Sequence, residues 1–216
     1  MRTLEYRSSV ASSCGFIGAR RSILRMLGVV CCLAVSTDAT PACAHAHVFI
    51  LDTVEAVFTA KELTGLRLRW TFDEVFSDGM FNDFDANGNR TFDPPEVDAI
   101  REVTLPSMKE FGYFTHLWLN GTLEQDFADV FLDVTSVGDT VIYEWTITLA
   151  QPADPSRDKV EVSIFDDSYF VDVALHFPDA VKLLNAPSSC RYEITEDETK
   201  AYYYDSIYPQ VIRLSC

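Results

Sequence analysis

The chain is short of basic residues, short of histidine and, past residue 43, almost without cysteine. Against 33 Asp+Glu stand only 17 Lys+Arg, a formal net charge of −16 at pH 7. Such a surface repels phosphate backbones and anionic lipid and attracts cations, which excludes nucleic-acid binding as a mode of action. No apolar run reaches the roughly 20 residues of a membrane-spanning helix. No C-x-x-C pair occurs, and Ser168 lacks the G-x-S-x-G surroundings of a hydrolase nucleophile. Strand and helix patterns do not alternate repeatedly, so a parallel α/β sheet is not expected.

What is present at the start is an export signal. Arg20, Arg21 and Arg25 form a positive region, "MLGVVCCLAV" at 26–35 is an apolar run of ten, and Ala42-Cys43-Ala44 is a small-residue cleavage site. The expected product is residues 45–216, released into an oxidising compartment by the general secretory route or, since "ARRSILR" resembles a twin-arginine signal, by that one. Removing residues 1–44 leaves 12 basic and 31 acidic residues, a charge of −19 on 172 residues. That length fits one domain. Cys14, Cys31, Cys32 and Cys43 leave with the signal, and only Cys190 and Cys216 remain. The simplest reading of the pair is a disulfide pinning the C-terminal tail, worth about 3 kcal/mol if unstrained. A thiolate metal site is the alternative, without the usual spacing to support it.

Two of the 4 histidines, His45 and His47, fall at the new N-terminus. Cleavage after Ala44 makes His45 the first residue, so its α-amine and imidazole can chelate a metal together while His47 adds a second ring nitrogen. The amine, two backbone amides and the His47 ring can also wrap Cu(II) or Ni(II) in a square plane. Imidazole equally suits Zn(II), which needs two further ligands or one and a water. Solvated histidines at a frayed terminus are the plain alternative. His116 in "FTHLWL" and His176 in "ALHFPD" sit on expected strands as further candidate ligands. Asp166 and Asp167 in "FDDSYF" are candidate carboxylate ligands or acceptors that orient a ligating ring, although Asp-Asp-Ser also favours a turn on its own.

The periodicity is that of a mainly β (α+β) chain, an antiparallel β-sandwich-like domain with an inserted helical pair. Residues 47–59 and 63–72 alternate as a hairpin turning at "KEL". Asn120-Gly121 signals a tight hairpin, and "ADVFLDVTSVGDTVIYEWTITL", "KVEVSIFD", "YFVDVALHF", "CRYEIT" and "PQVIRLSC" supply further strands. From about 73 to 111 the period becomes helical, with Asp73 as an N-cap and Pro94-Pro95 opening a second helix that Pro106 should kink or end. Between these helices "DANGNRTFDPPE" aligns with an EF-hand calcium loop. Asp85, Asn87 and Asn89 hold its first three ligand positions, Thr91 offers a carbonyl, and Asp93 and Glu96 complete it. Arg90 occupies the position where the sharp bend wants Gly. Two asparagines in place of carboxylates tune the loop to calcium at roughly 0.1–1 mM, an extracellular range.

"HAHVFILDTVEAVF", "GLRLRWTFDEVFS", "FDANGNRTFDPPE", "GYFTHLWLNG" and "IFDDSYFVDV" together resemble an uncharacterised family of exported bacterial proteins, a domain of unknown function often described as the periplasmic component of an ABC-type transport system. The resemblance runs from His45 to Cys216 and implies a periplasmic protein that works beside nickel/cobalt-type membrane transporters in zinc or nickel handling. The family pattern opens with His-Pro-His, where this chain has Ala46, and its loop is similar to one with Gly at the position of Arg90. Ala46 keeps the backbone amide that a square-planar site needs. The expectation is therefore a binding protein and not an enzyme, carrying Zn or Ni, with Cu also open, and calcium in the loop. Two alternatives stand beside it: a calcium-stabilised structural protein docked on a membrane transporter, and a copper enzyme whose His45 amine and ring form a histidine brace.

Overall fold

The computed structural model describes residues 46–216. The expected export signal and cleavage site, and His45, lie outside the described residues. Strand β1 (Val48–Thr59) and strand β2 (Glu62–Phe72) form the expected hairpin, with Ile50, Val54, Ala56 and Phe58 of β1 facing inward. The turn is tighter than "KEL" suggests. Thr59 pairs with Glu62, so only Ala60 and Lys61 connect the strands, and Ala60 takes the positive φ of 57° that so short a connection needs. Gly65 has no room for a side chain, because a Cβ there would lie 2.6 Å from the Ile147 carbonyl of the neighbouring strand.

Helix α1 (Glu74–Phe84) starts at the N-cap Asp73, whose carboxylate accepts the Phe76 amide. Helix α2 (Pro94–Lys109) starts at Asp93 in a capping box with Glu96, with both prolines in its first turn. Pro106 neither ends nor interrupts it. The Glu102 carbonyl that loses its partner belongs to an exposed residue, open to solvent, and only three residues of the helix follow Pro106.

The remaining strands are β3 (Thr115–Leu119), β4 (Thr122–Glu124), β5 (Phe127–Val137), β6 (Thr140–Ala153), β7 (Val160–Ile164), β8 (Val171–Leu175), β9 (Val181–Leu184), β10 (Arg191–Glu196) and β11 (Gln210–Ser215). Asn120 and Gly121, both at positive φ, turn β3 into β4. One sheet runs β5-β6-β2-β1-β8, with β9 also on β1, and the other runs β10-β11-β7-β3-β4. The described residues are thus mainly β, with two sheets and two α-helices. The expected all-antiparallel pairing fails at one edge. β8 and β9 both run parallel to β1, β8 along Val48 to Asp52 and β9 along Val54 to Val57. β8 arrives from β7 in the other sheet by a crossover rather than a hairpin, so no turn dictates its direction, and β9 follows it along the same side of β1 after residues 176–180. Inward side chains of both sheets and helices, Trp70, Trp145, Leu117, Val162, Ile212 and Ile100 among them, share one hydrophobic cluster. Cys190 and Cys216 form the expected disulfide, tying the end of β11 to the residue before β10.

Two buried carboxylates show what this core tolerates. Glu161 on β7 is met by Lys159, Lys200 and Arg213. Burial pushes its carboxyl up, but the three cations outweigh that and hold it below the usual carboxylate range. Asp52 on β1 is fully buried between Ile50 and Val54, and neither oxygen has a hydrogen-bond partner among the described residues. Burial raises its carboxyl well above the usual range, and the nearby Thr53 and Arg69 amides offset this only in part. The folded state therefore keeps a proton that the unfolded chain releases above about pH 4, so this residue costs stability increasingly as pH rises through that region. Asp52→Val is expected to stabilise the protein by about 1–3 kcal/mol at pH 7 and by less at pH 3.5. Urea unfolding at the two pH values checks this, and an equal gain at both, or a loss at pH 7, would mean that the carboxyl has a partner in solution.

Candidate functional site

The segment between β7 and β8, residues 165–170, carries most of the chemistry. Asp166 is buried, and its oxygens accept from the Ser168 amide (2.9 Å), the Ser168 hydroxyl (2.8 and 2.7 Å) and the Phe170 and Val171 amides (both 3.0 Å). One carboxylate thus winds the loop by taking up its own backbone donors. Asp166 is the organiser of the loop, with its lone pairs committed there.

The loop holds Asp167 outward, with its side chain 76% exposed, against His116 on β3, 51 residues away in sequence. The His116 ring is buried and lies flat on Phe165, centroids 3.7 Å apart and planes 5° from parallel. Nδ1 is 3.3 Å from the Phe114 carbonyl and Nε2 is 3.4 Å from Asp167 Oδ2. Burial lowers the His116 pKa, with the Asp167 charge opposing, so the ring is neutral at pH 7. A carbonyl only accepts, which assigns the ring proton to Nδ1. The Nε2 lone pair then faces the Asp167 carboxylate.

The other end of the loop holds the start of the domain. The Phe170 carbonyl accepts the His47 amide (2.8 Å) and the Val48 amide (3.3 Å), and the exposed His47 ring tilts over the Phe170 ring at 4.9 Å. One six-residue segment thereby has His116 and Asp167 at one end and His47 at the other. His176 is not brought to it. It is exposed, one residue past β8 and so off the strand expected for it, and its amide donates to the Asp52 carbonyl. The length of β8, about 16 Å at 3.3 Å per residue, separates it from the loop. Among the described residues no three His, Cys, Asp or Glu side chains converge as a metal-binding group.

Sequence reasoning missed three neighbours. Tyr202 packs on Phe165 at 4.4 Å, and its hydroxyl is pushed up by burial and then by the charges of Asp172, Asp166 and Asp167. Asp172 is itself raised by burial. Tyr169 lies 6.5 Å from Tyr202, ring to ring. The signal was "YYYD" at 202–205, an aromatic run inside an otherwise polar tail.

The second candidate site is the segment from Asp85 to Glu96. Asp85 accepts the amides of Gly88, Asn89 and Arg90, Asn87 accepts that of Asn89, and Asn89 accepts that of Thr91. Glu96 takes the Ala86 amide on one oxygen and the Asp93 amide on the other. Asp93 caps α2, and its other oxygen meets only the Asn87 amide group, at 3.5 Å. The bend falls at Arg90, φ 58°, as glycine's usual position there demands. Its guanidinium turns away from the loop to Asp78 and Asp139 and over the Phe81 ring, and Ser136 donates to its carbonyl.

The His116 assignment has a direct consequence for titration. The ring is expected to protonate below the ordinary imidazole range, and Asp167→Asn should lower it further, because the removed charge favours the imidazolium. Proton NMR of the four histidines against pH reads both shifts. An Asp167→Asn variant in which His116 titrates higher or unchanged would break the pairing.

No solved structure matches the chain significantly. An uncharacterised 15.5 kDa protein from the trpE 3′ region of Spirochaeta aurantia is 30% identical over 105 residues, which is 48% of this chain and 74% of that one. An uncharacterised protein of Haemophilus influenzae is 22% identical over 169 residues, 76% of this chain and 80% of that one. Neither carries a described activity. The match to a family model extends over residues 29–209, and the chain therefore belongs to the family described as protein of unknown function (DUF1007).

Proposed function

We propose that this is an exported, periplasmic metal-binding accessory protein that carries Zn(II) or Ni(II) for a nickel/cobalt-type membrane transporter, with the ion as cargo. The observation that carries the reading is the 3.4 Å separation of His116 Nε2 and Asp167 Oδ2. Two ligands at about 2.0–2.1 Å from one tetrahedral ion lie about 3.4 Å apart. A neutral imidazole lone pair facing a carboxylate at that distance suits a cation between them. His47, tied to the same loop through Phe170, is the next donor, and His45 with its α-amine would complete the set at the mature terminus. Asp166 supports by holding the loop, and His176 is outside the set. The framework in this reading is a β-sandwich with an EF-hand-like helical pair set into it. The hydrogen bonds that curl residues 85–96 around inward carboxylates favour calcium there, as a stabiliser separate from the cargo site.

Zn(II) and Ni(II) titrations of the processed chain by calorimetry test the reading. His116→Ala and His45→Ala are each expected to weaken binding by about 10–100-fold or more, while His176→Ala leaves it unchanged. Calcium should raise the melting temperature of the parent, and Glu96→Gln should remove that rise without touching Zn(II) affinity. Parent-like Zn(II) and Ni(II) binding in both His116→Ala and His45→Ala would end the cargo reading.

A further inference from the structure

Helices α1 and α2 stand apart over the first sheet, and a groove of about 340 Å3 lies between them. Phe76, Met80 and Phe84, spaced at helical turns on α1, form one wall, and Val103, Ser107 and Met108 of α2 form the other. The groove opens to solvent at Val103, Ser107 and Phe170, all exposed. Its hydroxyls are engaged within the wall itself. Ser107 donates to the Val103 carbonyl (2.7 Å), and Thr104 is hydrogen-bonded to Tyr143. What remains for a visitor is apolar surface. Met80 and Met108 are the only methionines after residue 45, and both line this space. Their flexible thioethers let the walls adapt to an inserted side chain. The flanks of the groove are acidic. Asp83 stands three residues past Met80 and Glu110 three past Ser107, so each lies beside its stripe, and helical geometry continues through Glu110 at φ −64° and ψ −24°. Neither carboxylate forms an ion pair among the described residues. Helix α1 has no basic residue, and Arg101 and Lys109 of α2 sit two residues from Val103 and Ser107, on the far side of that helix.

We propose that this groove docks a basic amphipathic helix of a partner protein. Apolar side chains one turn apart enter between α1 and α2, and Lys or Arg beside them meet Asp83 and Glu110. A helix about 10–12 Å across is wider than so small a space, so its backbone stays at the mouth and only side chains go in. Charge complementarity selects the occupant. A second copy of this acidic chain, or an anionic lipid surface, is repelled by the same flanks. Docking has a physical route to the cargo site, because Phe170 walls the groove while its ring and carbonyl hold His47. The groove itself needs no ion.

The probe is a short leucine–lysine peptide patterned as an amphipathic helix, added to the processed chain in the presence of a chelator. With isotope-labelled methionine methyl groups the only two NMR signals are those of Met80 and Met108, and both are expected to shift saturably. Val103→Glu places one more carboxylate at the mouth. Docking in the groove is then expected to weaken about tenfold or more, whereas general attraction to an acidic protein would strengthen. Asp83→Asn combined with Glu110→Gln should weaken binding by about the same factor. All three positions are exposed, so the variants keep the fold. A peptide of the same composition with its leucines scattered should bind at least about tenfold more weakly. The proposal fails if the methionine methyls do not move, if Val103→Glu binds as well as the parent or better, or if the scattered peptide binds as tightly. Octylammonium shifting the methyls at the peptide's concentration would also overturn it, because the groove would then take any cationic amphiphile and not a helix.

Discussion

The geometry of the whole N-terminal end rests on the carboxylate of Asp166. The chain must leave one sheet at Ile164 and enter the other at Val171, and it has six residues in which to do so. Within that length the Ser168, Phe170 and Val171 amides point inward with no strand to receive them, and Asp166 receives all three together with the Ser168 hydroxyl. A carboxylate is one of few side chains that can do this, because it accepts on two oxygens and its bonds to amides are strengthened by charge. With those donors used, the Phe170 carbonyl is left to take the first amides of the domain, at His47 and Val48. The crossover, the parallel entry of β8 beside β1 and the seating of the N-terminus are three results of one side chain's hydrogen bonds.

The acidic loop between the helices is built by the same means with a different economy. Asp85 and Glu96 gather amides from both ends of the segment, and Glu96 serves at once as a loop closer and as the third residue of the α2 capping box. Glycine's absence at the bend is met at position 90 by side-chain contacts instead of backbone freedom. Arg90 holds a left-handed backbone while its guanidinium bridges α1 and the turn between β5 and β6, so the strained residue is also the one that fastens the loop to the sheet. Replacing it by glycine would relax the bend and undo the fastening together.

Features set by neighbours in sequence were legible before any coordinates. Asp73 and Asp93 as caps, Pro94-Pro95 as a helix start, Asn120-Gly121 as a hairpin and the pairing of the last two cysteines all depend on residues a few positions apart or on a count of two. The parallel edge was not legible, since no local turn encodes it, and β9 went unseen because only four residues pair and only Val181 of them is buried. Pro106 misled because proline rules assume a buried or mid-helix carbonyl, whereas this one faces water. In the candidate site the histidines were visible as letters, but the partnership of His116 with Asp167 spans 51 residues and two sheet strands, and it distinguishes a paired imidazole from a lone core histidine. Tyr202 was passed over because aromatic residues near a terminus read as packing, and packing is indeed how it acts, through Phe165 onto the His116 ring.

The burial of His116 bears on what kind of ion site this end of the protein could be. A proton and a metal ion compete for the same Nε2 lone pair, and lowering the pKa weakens the proton's claim. Asp167 works in the opposite sense before binding, favouring the imidazolium, yet once a divalent ion is present the same carboxylate becomes attractive to it and repels nothing. Its exposure matters too, since it leaves the carboxylate within reach of an arriving ion. The stacked ring of Phe165 fixes the imidazole plane so that little rotamer entropy remains to be lost on ligation. A pair of this sort would hold an ion weakly alone and would gain from a further donor, and His47 is tied to the same loop through the Phe170 carbonyl and ring.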